Sequence, residues 1–522
     1  MQGLPTDDEL CAGLVEVMEH FYASATPAAP CPVVDAALET AERLAAVDYE
    51  VVRVANPGGI LCGTYAARVL ILNARAADAR APGPTDSATL QALFFKARQA
   101  RVRGRFVVPV IPFRGRFICR SSTLASKKEA LGQTVLFTAK SSLRFASAVA
   151  TPVDDASELE VEGANASPTA ATGDIVDRAR EADIALLKAL GVRYVCDLMV
   201  EGRKVKWGMF VCSSEKVDSF QRYQRAGISI NAIPYPGVEH FAAFAAAPEA
   251  ADELVFDWSH AECNSVLALD APLPGRAAHL SWQHYQSWSL VTMTESYLLF
   301  MLGLLDDRHE PAGLLVHCIS GWDRTPLFIS LLRLSLWADG LAHASLSPQA
   351  ILYFTLVYDW MAFSHKLRDR ASRHEDILPF CFFMLPRIAA QHFALAPAPA
   401  PAADPEPAAP VPVPADLQSP AAASRLRSHS VEHNTLDLAA LQSSLGSWQY
   451  VTRESERGNE ALSLRATKLQ AVCDLFADLH AATTPTSAAS TPSNWFFGSI
   501  VDWLSPSVSP RGSASASAST SA

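Results

Sequence analysis

The sequence has no cysteine pairs of the C-x-x-C type, no signal-type amino terminus and no long apolar run. Its ten cysteines are scattered without regular spacing, which in a chain of 522 residues predicts reduced thiols and a cytoplasmic protein. The longest apolar run, residues 298–305, is too short to span a bilayer and predicts a buried helix. We therefore expect no transmembrane segment.

The sequence has fewer basic than acidic residues. The chain has 43 Lys and Arg against 54 Asp and Glu, a net charge of −11, which argues against nucleic-acid binding. Residues 96–128 are an exception, since they contain ten basic side chains and no acidic one. This basic segment could contact an anionic membrane, where each exposed charge contributes about 1 kcal/mol, or it could consist of solvated strand and loop faces. The sequence favours neither alternative.

Composition divides the chain into six segments. Residues 173–394 alternate helices with strands, which predicts an α/β fold with a mainly parallel central sheet flanked by helices. The tail includes an aromatic stretch at 494–504 that could bind protein partners. The other segments are an N-terminal helix with a β-rich basic region (1–150), an acidic linker or loop (151–172), an Ala/Pro-rich linker (395–430), a partly helical region (431–482) and a disordered tail (483–522).

Residues 314–325 read LLVHCISGWDRT, in which an apolar strand ends at Cys318 and a helix begins at Thr325. A strand-to-helix loop exposes backbone N–H groups, and the helix dipole adds positive potential, so this signature loop (residues 318–324) predicts an anion cradle. Glycine lets the backbone approach a phosphate closely, and Arg324 would bind two phosphate oxygens as a fork. The loop residues expected to bind substrate are Ile319, Ser320, Gly321 and Trp322.

The same positive potential favours a thiolate, so Cys318 is the predicted nucleophile, forming a cysteinyl phosphate that water later hydrolyses. The hydroxyl of Thr325 is expected to hydrogen-bond the sulfur, and His317 to support the loop. Asp323 is the predicted general acid and then the base for the attacking water. Asp257, on a separate segment, is the alternative acid.

The segment HCISGWDRT resembles the signature loop of the myotubularins, a family of cysteine-dependent phosphoinositide 3-phosphatases. Typical members have Ser-Asp where this chain has Ile319 and Ser320. The resemblance covers about residues 48–390 and includes RFVVPVIPFRGRFICRSSTL, VCDLMVEGRKVKWGM and IPYPGVEHF. It implies the cysteine-dependent C-x5-R phosphatase fold, and the N-terminal region could be a diverged PH-GRAM domain. No metal or other cofactor is expected, because the cradle itself neutralises the transition-state charge.

The resemblance implies that the substrates are phosphatidylinositol 3-phosphate and phosphatidylinositol 3,5-bisphosphate, from which the 3-phosphate is removed. The enzyme would be cytoplasmic and peripherally associated with phosphoinositide-containing membranes. Lys366, in a segment that resembles the helix after the family's signature loop, would either add positive potential to the site or lie on a surface helix face. Two alternatives stay open for the function: a dual-specificity protein phosphatase, and an inactive phosphoinositide-binding scaffold.

Overall fold

The computed structural model describes residues 3–24, 31–75, 86–126, 129–130, 168–206, 209–212, 217–218, 221–307, 311–395 and 462–484. Residues 151–167 of the predicted acidic segment, 396–430 of the Ala/Pro-rich linker and the tail from residue 485 lie outside this part of the chain. The aromatic stretch at 494–504 lies outside it as well.

Nine strands and twelve helices are found within the described residues. The strands are β1 (Tyr49–Ala55), β2 (Arg68–Ala74), β3 (Val108–Phe113), β4 (Arg116–Ser122), β5 (Val192–Met199), β6 (Arg203–Lys206), β7 (Met209–Cys212), β8 (Ser229–Tyr235) and β9 (Gly313–Cys318). The helices are α1 (Asp7–Ala23), α2 (Pro32–Asp48), α3 (Ser87–Ala97), α4 (Pro168–Ala189), α5 (Arg222–Arg225), α6 (Phe241–Ala246), α7 (Leu290–Leu305), α8 (Arg324–Ala338), α9 (Pro348–Phe354), α10 (Leu367–Ser372), α11 (Leu378–Phe383) and α12 (462–483).

The central sheet has five strands in the order β3-β4-β9-β5-β8. Strands β4, β9, β5 and β8 are parallel, and β3 pairs antiparallel with β4 at one edge. Every residue of the middle strand β9 is buried, as expected for the apolar run GLLVHC with helices on both faces. The predicted α/β fold with a mainly parallel sheet is therefore confirmed.

The predicted boundary at residue 150 does not separate two folding units. Strand β4, from the N-terminal region, pairs with β9 over Ile118 to Ser122, so the hairpin of β3 and β4 belongs to the sheet that carries the signature loop. Strands β1 and β2 form their own two-stranded sheet. The hydrophobic core runs without a break from the N-terminal helices to the helices after the loop. A separate PH-GRAM-like domain over residues 1–150 is therefore not what the described residues form.

Helix α12 lies within the region for which a helix was predicted, and it packs on the core. Its Arg465 bonds the carbonyl oxygens of Ser335 and Ile388, and Phe476 stacks on Phe382 with ring centroids 3.8 Å apart. None of the helices in the described part of the chain is long and apolar enough to cross a membrane.

Candidate active site

The site lies at one edge of the sheet because the four parallel strands end there. Strands β4, β5, β8 and β9 end at Ser122, Met199, Tyr235 and Cys318. The carboxyl ends of parallel strands meet at the same edge, where α/β proteins bind their ligands. Segments distant in sequence are thereby brought around the signature loop, which leads from β9 into α8 at Arg324.

Gly321 allows the loop to turn tightly against β4. Its φ is +67°, and a Cβ atom at this position would lie 2.6 Å from the carbonyl oxygen of Ser121. A residue with a side chain would therefore be strained here for two reasons. The left-handed backbone is unfavourable for it, and its Cβ atom would clash with the backbone of Ser121. The close approach of this backbone to a phosphate stays a prediction.

Buried cations hold the carbonyl oxygens of the loop. Arg120 Nη2 donates to the carbonyl oxygen of Gly321 at 2.8 Å, and Arg105 Nη2 donates to it at 3.4 Å. His365 Nδ1 lies 2.8 Å from the carbonyl oxygen of Trp322. In a planar trans peptide the following N–H points the opposite way. The N–H groups of Trp322 and Asp323 therefore point away from these cations, as an anion cradle requires.

Cys318 is the buried last residue of β9, with 3% of its surface exposed. It interacts electrostatically with two guanidinium groups, those of Arg324 and Arg103. The structure therefore brings together the cysteine and the arginine of the signature loop and adds a second arginine. The sequence did not assign Arg103 to the site.

Arg324 is held by a carboxylate that the sequence analysis missed. Its Nη1 donates to the carbonyl oxygens of Leu198 and Tyr235, and both Nη atoms bond Glu201 at 3.0–3.3 Å. Burial would lower the pKa of Arg324, but the ion pair with Glu201 outweighs it and raises the pKa. Glu201 thus fixes the orientation of the guanidinium, whose Nε edge lies outside these bonds.

A signal for Glu201 was present in the sequence. It follows the apolar strand VRYVCDLMV by one residue, so it lies at the same sheet edge as Cys318. A carboxylate placed there is a candidate partner for the arginine of the loop.

Asp323 is bound as a carboxylate. Arg370 Nε and Nη2 donate to its two oxygens at 3.0 and 2.9 Å, and His365 Nδ1 lies 3.4 Å from Oδ1. Burial alone would raise the pKa of Asp323, but Arg370 and His365 hold it well below its usual range. This environment disfavours the predicted proton donor, because a carboxyl with a lowered pKa is ionised at neutral pH. It leaves the carboxylate free of a proton, as a base must be, but the lowered pKa also makes it a weaker base for the attacking water.

The buried contacts of His365 are expected to make the free energy of unfolding depend on pH. Burial would lower its pKa, but Asp323 and Asp376 (3.8 Å from Nε2) raise it from 6.5 to about 9. A raised pKa stabilises the fold fully below about pH 6.5, and the stabilisation of about 3 kcal/mol is lost as the pH rises through about 9. Urea unfolding of the wild type and of His365→Asn at pH 6.5 and 9.5 checks this. The wild type should lose about 3 kcal/mol more than the variant, and equal losses would contradict it.

Two roles predicted from the sequence, those of Thr325 and Ile319, are not supported by contacts. The Thr325 hydroxyl is buried and, among the described residues, makes no hydrogen bond, so the predicted bond to the sulfur of Cys318 is absent. Ile319 buries its side chain in a small apolar cluster with Val102 and Met199, and its carbonyl oxygen accepts from the N–H of Thr123 at 3.2 Å. Its side chain therefore serves packing, which leaves only its backbone to the substrate.

His317 lies beneath the loop with Nδ1 3.6 Å from Asp197 Oδ1, in keeping with a supporting role. Asp257 lines a cavity of about 390 Å³ that also reaches Glu201, and its oxygen accepts from the N–H and hydroxyl of Ser259. Those bonds lower the pKa of Asp257. The alternative acid is therefore near the site but carries the same disadvantage as Asp323.

Four of the eight described basic side chains of residues 96–128 are buried, which corrects the expectation that this segment lies at the surface as a whole. Arg101 forms an ion pair with buried Asp183 at 2.6 Å, and Arg105 and Arg120 hold the loop. Lysines 127 and 128 lie outside the described residues. Arginines at 98, 101, 105 and 120 are each at most 4% exposed. These four arginines therefore support the fold and the site from within, whereas Lys96 is exposed and Arg103, Arg114 and Arg116 are partly exposed.

Cations surround the ring of Trp322. Arg103 Cζ lies 4.4 Å from the ring centroid and Lys366 Nζ lies 4.8 Å from it. Lys366 therefore adds positive potential to the site, which is the first of the two alternatives considered for this residue. The neighbouring Ser320 hydroxyl accepts a hydrogen bond from Arg103 Nη1.

Residues 173–338 match the family model described as "Tyrosine phosphatase family". The matched segment contains β5, β8, β9, the signature loop and α8. The fold and the loop thus define a cysteine-dependent phosphatase domain.

The chain is also similar to the phosphatidylinositol-3,5-bisphosphate 3-phosphatase MTMR14 of Mus musculus, with 42% identity over 356 residues, which are 67% of this chain and 52% of the relative. The Homo sapiens protein of the same name is 42% identical to this chain over 355 residues, which are 66% of this chain and 52% of the relative. The predicted relationship to the myotubularins is confirmed. The chain spans about half the length of the curated relatives it matches.

Proposed function

We propose that this protein is a phosphoinositide 3-phosphatase that acts on phosphatidylinositol 3-phosphate and phosphatidylinositol 3,5-bisphosphate. The observation that carries the proposal is the signature loop itself, with Cys318 at the end of β9 and Arg324 held by Glu201. The similarity to MTMR14, whose name states a 3-phosphatase activity on phosphatidylinositol 3,5-bisphosphate, supports this choice of substrate.

The proposed reaction has two steps. Cys318 attacks the phosphorus, the S–P bond forms, and the bond from phosphorus to the inositol oxygen breaks. Loop N–H groups and Arg324 stabilise the charge that develops on the phosphoryl oxygens. Water then cleaves the S–P bond and gives its proton to Asp323, which is ionised in the free protein by Arg370 and His365 and becomes a stronger base beside the negatively charged phosphoryl group.

The leaving inositol oxygen needs a proton in the first step. We assign that proton to Asp323 only after substrate binding, because a phosphate dianion in the loop raises the pKa of a neighbouring carboxyl. The free protein, in which Asp323 is paired with Arg370, favours the ionised form.

We further propose that the protein associates peripherally with phosphoinositide-containing membranes, since its substrate is a lipid headgroup. The four buried arginines of the basic segment do not supply the contact surface. The cations around Trp322 lie at the loop, where they would attract the phosphates of the lipid headgroup. Protein partners for the tail stay a prediction.

Phosphate release from short-chain forms of all phosphoinositides tests the function, with a Cys318→Ser variant as the blank. We expect release from the 3-phosphate and 3,5-bisphosphate lipids and none from lipids without a 3-phosphate. Faster turnover of a phosphotyrosine peptide would support a dual-specificity protein phosphatase. Binding of the lipids without release would support an inactive scaffold.

A further inference from the structure

Arg103 is a half-buried arginine at the signature loop, although it lies 70 residues before the segment that the tyrosine phosphatase family model matches. Its Nη1 donates to the hydroxyl of Ser320, and its Cζ lies 4.4 Å from the centroid of the Trp322 ring. It also interacts electrostatically with Cys318 and Asp323. Arg103 therefore contacts the middle of the loop and is near the nucleophile.

The backbone holds Arg103 in a strained conformation. Its φ is +59°, and the next residue, Gly104, has φ +68°. A left-handed conformation costs a residue with a side chain about 1–2 kcal/mol, and such strain persists where the surroundings fix it, often at functional sites. Here the N–H of Arg103 donates to Glu129 Oε1 at 3.0 Å. The turn thus directs this side chain to the loop at an energetic cost.

Two of the arginines at the loop already form ion pairs with carboxylates. Arg324 is bonded to Glu201, and Asp323 is bonded to Arg370. A phosphate dianion that enters the cradle therefore needs further positive charge, because burying an anion without a partner is costly. The guanidinium of Arg103 is placed to supply that charge.

The identity of residue 320 fits this role. Typical myotubularins have an aspartate at this position, and an aspartate in contact with Arg103 would form an ion pair and neutralise it. Ser320 accepts a hydrogen bond from Arg103 without carrying charge. Residue 320 therefore does not neutralise the guanidinium of Arg103.

We propose that Arg103 is a substrate-binding residue, whose guanidinium donates to a non-bridging oxygen of the phosphoryl group that Cys318 attacks. This rests on the proposed phosphatase function. Arg103 would thus be a second phosphate-binding arginine, supplied by the N-terminal region of the chain. That region would then be part of the catalytic unit.

Inorganic tungstate, a phosphate-shaped oxyanion, is the probe that tests this proposal in the full chain. Titration calorimetry should show about tenfold to a hundredfold weaker tungstate binding by Arg103→Ala, which is the loss expected for one charge-assisted hydrogen bond. The matched control is Arg114→Ala, which removes the same charge at a left-handed position in the hairpin at the other end of β4. It should bind within twofold of the wild type.

Equal tungstate affinity of Arg103→Ala and the wild type would overturn the proposal. If Arg103→Ala fails to fold, Arg103→Lys is measured, which keeps the charge but loses the planar fork. Severalfold weaker binding supports the proposal and unchanged binding overturns it. Free guanidinium should restore part of the turnover of Arg103→Ala, which a purely structural role would not allow. If the wild type hydrolyses no phosphoinositide while the tungstate difference persists, the proposed function alone fails.

Discussion

Glu201→Gln is expected to lower the free energy of unfolding by about 3–5 kcal/mol, the loss typical of a buried ion pair from which one partner is removed. The substitution keeps the shape of the side chain but leaves the charge of Arg324 buried and uncompensated. We also expect kcat to fall about a hundredfold, because a displaced guanidinium no longer meets the transition state. Urea unfolding and turnover of short-chain phosphatidylinositol 3,5-bisphosphate measure the two effects.

A second arginine–carboxylate pair provides the control. Arg387 donates to both oxygens of Asp252, but about half of the Asp252 side chain is exposed. Exposed pairs contribute at most about 1 kcal/mol, so Asp252→Asn should have little effect on stability or turnover. Saturating phosphate should stabilise Glu201→Gln more than the wild type, since the bound anion replaces the lost negative charge. Similar losses in the two variants would show that Glu201 does not hold Arg324.

The sequence predicted the centre of the fold because its elements are strongly patterned. The apolar run before Cys318 could only be a buried strand, and Gly321 marked a turn that the backbone geometry requires. The apolar run at 298–305 predicted a buried helix, and helix α7 contains it but already starts at Leu290, since Ser289 caps it by accepting from the N–H of Thr292 at 3.1 Å. The apolar residues before that cap belong to a 3-10 turn, and periodicity alone did not separate the two.

The partners of the loop were harder to predict because they depend on which strands become neighbours. The order of strands in the sheet brings four side chains from distant segments to the loop, those of Glu201, Arg103, Arg105 and Arg120. A run of basic residues without acidic neighbours suggested an exposed surface, but the acids and carbonyl groups that pair with it come from distant parts of the chain. The residues next to a basic side chain in the sequence therefore do not predict which distant group it pairs with.

Gly321→Ala is expected to reduce turnover about a hundredfold, since the added methyl group must displace the loop from the backbone of Ser121 and a shift of about 1 Å at a reacting centre has an effect of that size. It should also destabilise the fold by more than the 1–2 kcal/mol that a left-handed alanine costs. Gly340→Ala is the matched control, because Gly340 has φ +70° but open space around its Cβ position. It should show the backbone cost alone and keep full turnover. The difference between the two variants, measured by urea unfolding and by phosphate release, isolates the contact with β4. If both variants lose the same stability and Gly321→Ala stays active, the tight approach of the loop to β4 does not shape the cradle.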